Sequence, residues 1–252
     1  MFLDVIELRD FYAEATGIVV RRILATRLQR LWPDVREQSI AGIGYATPYL
    51  AIFRGRAGRV LALMPAAQGV VRWPIEGASA SALVDELDLP LTDAAIDRAI
   101  VAHGLESTND PAAMLEEAWR VLKPGGRLII VVANRRGVWA RTDTSPFGHG
   151  RPFSRSQLSR LLRNAGFSPE QWVDALYVPP FRYRPLLRFA TAFERIGAFL
   201  RLPMSGAIIV EAVKRAHGGQ AVRVRQQARR VPVLAGQPVS AMDAPASRRD
   251  AS

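Results

Sequence analysis

Three histidines, His103, His149 and His217, supply every imidazole of a chain that has no cysteine. No HxxxH or HxH spacing unites them, so no metal centre is expected, and neither a thiolate site nor a disulfide framework can exist. His103 follows the apolar run IDRAIVA, and Glu106 stands three residues on. An imidazole at a strand end can take a proton from a reacting group or form the wall of a ligand pocket; its other role is that of a capped turn residue. Glu106 either orients His103 or, as expected here, faces solvent ahead of the helix that Asp110-Pro111 opens. His149 is a second base candidate, in a long segment (134–153) that mixes Trp139, Phe147 and arginines with Gly137, Gly148 and Gly150. Segments of this length without regular structure tend to be functional or mobile, so this one reads as a substrate or partner loop, with a disordered crossover as the other reading. A different chemistry belongs to Gly42-Ile43-Gly44, followed by Tyr45. Glycines at a strand end let main chain approach a ligand at a helix N-terminus.

These groups need elements to hold them. Residues 3–32 read as one or two amphipathic helices, with Ile18, Ile23, Leu24, Leu28 and Leu31 near one face and Arg9, Arg21, Arg22, Arg27 and Arg30 on the rest. They are expected to cover the domain edge, with a lid over a substrate site as the other reading. Strands are expected at 39–43, 59–63, 80–84, 96–102, 127–132, 172–178 and 207–213. Thr47 suits a helix N-cap and Pro48 the first helical position. Met114, Leu115, Ala118 and Leu122 make the apolar stripe of the helix that Asp110 opens, and Lys123-Pro124-Gly125-Gly126 forms the turn after it. A further helix is expected at 154–165. Strands alternating with helices, in near-continuous apolar runs, predict a parallel sheet covered on both faces. Between the last two strands, residues 185–200 pattern as a helix with Leu186, Leu187, Phe189, Phe193, Ile196 and Phe199 among arginines. Such a helix packs on the sheet edge or a dimer interface, or seats on a membrane surface.

The 252 residues, 49% of them hydrophobic, suffice for one sizeable core. The net charge is +11, and eight basic against two acidic residues put +6 of it between Lys214 and Ser252. That segment is expected to be disordered and is the candidate contact for nucleic acid. Asp4, Glu7, Asp10 and Glu14 argue against a targeting segment, and no run of about 18 uncharged apolar residues exists for a membrane span. A cytoplasmic location follows as the expectation. The division expected is an N-terminal helical segment (1–34), one domain (35–213, with the long loop at 135–153 and a helical insertion at 180–203), and a basic tail (214–252).

Residues 85–134 carry a family signature: Asp88-Leu89-Pro90-Leu91, Asp93 to Asp97, His103 to Glu106, Asp110-Pro111, and RVLKPGGRL from Arg120 to Leu128. They resemble the middle of the type 11 class I methyltransferases, the UbiE/MenG-like kind. The resemblance runs over about 36–178, with 207–213 as the final strand. It implies an α/β, Rossmann-like sandwich: a mostly parallel seven-stranded sheet with helices on both faces. It also implies S-adenosylmethionine (SAM) as cofactor and a methyl acceptor, small or macromolecular, as partner. The SAM contacts it implies are Gly42, Gly44, Tyr45, Met64, Asp85, Glu86 and His103, with His103 or His149 as base.

Two departures stand out. Ile40 occupies the place of the acid before the glycine turn, and Ala46 that of its third glycine. Met64 occupies the place of the acid that forks onto the ribose hydroxyls. Losing such a pair costs on the order of 2–4 kcal/mol, about 30- to 1000-fold in affinity. NAD is disfavoured by the same missing acid. The first reading is SAM-dependent methyl transfer. The alternative is a catalytically inactive methyltransferase fold that binds protein or nucleic acid. A third reading is a peripheral membrane enzyme acting on lipid or quinone-like substrates, and a homodimer fits any of them.

Overall fold

The computed structural model describes residues 3–142, 145–180, 187–200 and 204–215. The tail from residue 216, with His217, lies outside these residues, as do 181–186 and 201–203 of the insertion. Strands β1 (Ser39–Gly44), β2 (Arg59–Pro65), β3 (Ser81–Val84), β4 (Ile96–Ala102) and β5 (Leu122–Ala133) run parallel. Strand β7 (Ala207–Lys214) lies antiparallel between β5 and β6 (Phe167–Ala175). The order across the sheet is β3-β2-β1-β4-β5-β7-β6. This is the expected class I methyltransferase architecture. The chain reverses between β1 and β4, the kind of position where open α/β sheets bind ligands beyond their strand ends.

Both faces of the central strands are apolar because both are covered. Ile40, Ile100, Ile129 and Val131 point toward helices α1 (Val5–Ala13) and α2 (Ala15–Leu31). Ala41, Val101, Leu128 and Ile130 alternate with them and pack under α4 (Pro111–Val121) and α5 (Arg155–Asn164). Asp4 caps α1 by accepting the Ile6 and Glu7 amides, each at 2.8 Å. On α2 the buried stripe is Gly17, Val20, Leu24 and Leu28; Ile18 is exposed and Ile23 and Leu31 half-buried, so the stripe is narrower than expected. α2 ends at Trp32, whose indole donates to buried Glu211 on β7 at 2.8 Å. Lys214 closes the far side, donating to the Trp119 and Leu122 carbonyls at 2.7 Å.

Three local expectations are corrected. Helix α3 (Thr47–Leu50) has Ala46 at its N-cap and no side-chain cap, because Pro48 falls at the second helical position, leaving Thr47 inside. β5 starts at Leu122, with the KPGG turn carried as an irregularity between the Ile96–Leu122 and Arg98–Arg127 pairings. β6 starts at Phe167 rather than 172, since Gly166 at φ 86° reverses the chain straight out of α5. Of the insertion's expected helix (185–200), the described residues hold α6 (Ala190–Phe199), while 185 and 186 lie outside them.

Candidate functional site

The carboxyl ends of β1, β2 and β4 meet the N-terminal helices at a cluster of rings. Tyr45, directly after β1, is buried and stacks on Tyr12 of α1 at 5.9 Å between centroids. The Tyr12 hydroxyl lies 2.5 Å from that of Tyr49 on α3 and 2.6 Å from Nε2 of His103. With His103 unprotonated at Nε2, Tyr12 donates to it and accepts from Tyr49, so all three polar ends are satisfied. Phe147, from the long segment after β5, meets His103 edge-on at 5.0 Å, and Trp139 backs Phe147 at 5.8 Å. That segment folds over the strand ends through turns at Trp139–Arg141 and Pro146–Gly148.

His103 is held in a strained backbone conformation, φ +53°, by bonds to its carbonyl. Gln68 Nε2 donates to that oxygen at 2.5 Å and Ser107 Oγ at 3.0 Å. Gln68 also receives the first amide of α1, from Val5, at 2.8 Å. α1 is therefore tied to the strand ends at both its termini.

Burial sets the electrostatics. It lowers the His103 imidazole to about 4, so the ring is neutral at pH 7. It also raises the phenols of Tyr12 and Tyr49 far above their ordinary range. Glu106 was expected at the surface and is instead buried. Its Oε1 accepts the Ala133 amide at 3.0 Å, and Oε2 meets no hydrogen-bond donor among the described residues. Burial lifts its carboxyl from 4.5 to about 7. The cause is the main chain closing over it: Arg151 N–H donates to the Glu106 carbonyl at 3.1 Å.

The structure places the sequence-predicted residues unevenly. Gly42, Gly44, Tyr45, Met64 and His103 are all buried around the ends of β1, β2 and β4. His149 joins His103 and Glu106 in lining a cavity of only about 10 Å³, roughly one water molecule in size. Asp85 stands exposed after β3, its Oδ1 accepting the Leu87 amide at 2.9 Å, and Glu86 beside it is half-buried. Neither takes part in the ring cluster. Tyr12, Tyr49 and Gln68 belong to the cluster without having been singled out in the sequence. The spacing of Leu8 and Tyr12, one turn apart on an amphipathic helix, was the available signal.

Over residues 41–130 the chain matches the family model described as a methyltransferase domain. The fold is that of the class I methyltransferases. It is 36% identical over 92 residues to a probable S-adenosylmethionine-dependent methyltransferase of Mycolicibacterium smegmatis, covering 36% of this chain and 35% of that one. It is 31% identical over 147 residues to a 2-phytyl-1,4-naphtoquinone methyltransferase of Synechococcus elongatus, covering 53% and 59%. The chain thus spans about a third to three-fifths of the length of these relatives. The geranyl diphosphate C-methyltransferase of Streptomyces coelicolor, solved with S-adenosyl-L-homocysteine, has the same fold: TM-score 0.53, 18% identity, 76% of each chain. The cofactor of the family is SAM.

As packed, the candidate seat leaves no room for SAM beside His103. A drug-sized ligand needs a pocket of about 300 Å³ or more, and the space beside His103 is about 10 Å³. The glycines are used by the chain itself. A Cβ on Gly42 would stand 2.6 Å from Leu50 Cδ1, and one on Gly44 would strike the Ala102 carbonyl and lie 2.8 Å from the Gly104 nitrogen. Met64 Sδ, at the place of the ribose acid, accepts the Val71 amide at 3.4 Å. Tyr12 and its partners fill the hollow.

Proposed function

We propose that the chain is a SAM-dependent methyltransferase seen in a closed state, with α1 acting as a plug over its cofactor seat. One observation supports this reading: the group at the centre of the ring cluster, Tyr12, is delivered by a helix outside the sheet. α1 contributes two polar ties, Val5 to Gln68 and Tyr12 to His103 and Tyr49. Lifting it breaks no strand pairing, and a seat opened in this way lies at the chain reversal between β1 and β4. SAM, when bound, supplies an electrophilic methyl group. The chain's own part is to exclude water, to align the acceptor and to hold a proton. Once α1 leaves, His103 loses the burial that depresses its basicity and becomes a usable base near neutral pH. Glu106, poised near 7, is the second group that can hold a proton there. The acceptor is a substrate that enters over the strand ends.

A second reading is favoured by Ile40 and Met64: the seat is closed for good, and the fold serves as a binding module. Calorimetry of the full chain with S-adenosylhomocysteine separates the two. The closed-state reading expects weak binding by the wild type and at least tenfold tighter binding by Tyr12→Ala, roughly 1.4 kcal/mol. Met64→Asp in that background should tighten it further, and Asp85→Ala should weaken it. No heat at millimolar ligand in both Tyr12→Ala and the wild type would overturn the methyltransferase reading.

A further inference from the structure

The seam between α2 and α6 lies away from the ring cluster and has a different character. Along α2 the sequence places Arg21, Arg22, Arg27 and Arg30 without a single acid. Arg22, Arg27 and Arg30 line an open groove of about 470 Å³, and Arg195 of α6 faces them across it, with the hydroxyls of Thr26 and Thr191 between. The groove contains one carboxylate, Glu194, which is buried and turned inward. Its Oε1 accepts the Tyr177 and Val178 amides at 2.5 and 3.3 Å, and Oε2 lies 3.8 Å from Arg27. Among the described residues no ion pair engages Arg22, Arg30 or Arg195. Guanidinium groups held in this way suit the oxygens of a phosphodiester.

The same helix is apolar on its outer side. Phe189, Phe193, Ile196 and Leu200 recur at helical spacing and are all exposed, and Phe199 is 86% exposed. Arginines 188 and 195 sit in the same stretch, and Arg188 stacks over the Phe189 ring at 4.8 Å. No helix of the described residues is long and apolar enough to cross a membrane. A helix with an apolar outer face beside a cationic groove is built to lie in a bilayer's headgroup layer. Nucleic acid would meet the arginines but leave the five apolar side chains in water.

We propose that this seam docks on an anionic lipid surface, with headgroup phosphates in the arginine groove and Ile196, Phe199 and Leu200 entering the acyl boundary. The inference does not depend on whether SAM binds. The test is flotation of the full chain with phosphatidylcholine vesicles and with vesicles in which one lipid in three is phosphatidylglycerol. Binding is expected only to the anionic vesicles, weakened at least tenfold by Arg22→Glu with Arg30→Glu and, separately, by Ile196→Ser with Phe199→Ser. All four positions are at the surface, so circular dichroism and melting should match the wild type. Phe199→Trp should show a blue-shifted emission quenched by brominated acyl chains. Several outcomes would overturn the proposal. Equal binding by the charge-reversal variant would place the contact elsewhere, such as the basic tail. Displacement by millimolar inorganic phosphate would mean a small-anion site. Dimerisation lost in Ile196→Ser with Phe199→Ser would mean a self-interface, and absence of quenching in a floating Phe199→Trp would mean that the apolar face stays out of the lipid.

Discussion

Two regions of the same α/β scaffold have been given opposite treatment. At the carboxyl ends of β1, β2 and β4, where this fold receives ligands, the chain has filled the space with its own rings. Tyr12, Tyr45, Tyr49, His103 and Phe147 are buried, and the cavity beside His103 measures about 10 Å³. Along the α2–α6 seam, where the scaffold demands nothing, about 470 Å³ stands open beneath four arginines. The difference teaches that a family signature locates a site without stating its condition. Signature residues such as RVLKPGGRL form the sheet, turn and helix packing, and these survive whether or not the hollow is open. The hollow depends on side chains that reach it from α1 and from the segment after β5, both beyond the residues 41–130 that carry the family match.

The largest effect should come from the glycine turn. If Gly44 serves packing, Gly44→Ala must strain a φ of +85° and drive a methyl into the Ala102 carbonyl and the Gly104 main chain. A loss of roughly 3 kcal/mol or more is expected by urea unfolding without any ligand. A loss under about 1 kcal/mol would mean that the turn relaxes freely and that the closed packing is soft. Next comes Glu106→Gln. A carboxyl lifted from 4.5 to about 7 holds its proton in the folded state over a range where the unfolded chain has released it. Stability from this group therefore falls as pH rises from about 4.5 to 7, by about 3 kcal/mol. His103, lowered from 6.5 to about 4, gives the opposite slope, gaining stability as pH rises through that interval. The wild type should thus vary little between pH 5 and 7. Glu106→Gln should match it near pH 4.5, exceed it at pH 8, and show the unopposed rise of His103. Identical pH profiles for the two proteins would mean that Glu106 is solvated and the cavity wider than described.

The fold was legible because its causes are local and repeated. The run IDRAIVA, the RVLKPGGRL turn and the Asp110-Pro111 cap each fix a piece of a parallel sheet by periodicity and capping alone. The candidate site was half legible. Gly42, Gly44, Met64 and His103 do lie around the ends of neighbouring strands, because strand order brings them there. What could not be read was the closure. Tyr12 reaches His103 across 91 positions of sequence, and nothing in an amphipathic period says which strand end an inward tyrosine meets. Glu106 was misplaced for a related reason: an acid three residues before an Asn-Asp-Pro turn reads as solvated, and only the returning main chain near Gly150 and Arg151 buries it. Asp85, expected as a SAM contact, is exposed because β3 ends at Val84 on the sheet's edge.

The smallest expected effect lies in the open region, and it tests whether the arginines there serve the fold at all. Arg30 pairs with no described acid, so Arg30→Ala should change stability by less than about 0.5 kcal/mol. Arg27 differs because it approaches Glu194, whose carboxyl is raised above its ordinary range chiefly by burial and held down in part by Arg27. A buried acid with a raised folded value loses stability as pH climbs, and removing its cation steepens that loss. Arg27→Ala should therefore cost about 1 kcal/mol at pH 8 and less at pH 5 by urea unfolding, while Arg30→Ala stays flat at both. If Arg30→Ala proves as costly as Arg27→Ala, the groove is held together by its own arginines. They would then belong to the core of the molecule, as the rings at the other site do, and the contrast between an open and a closed region would fail.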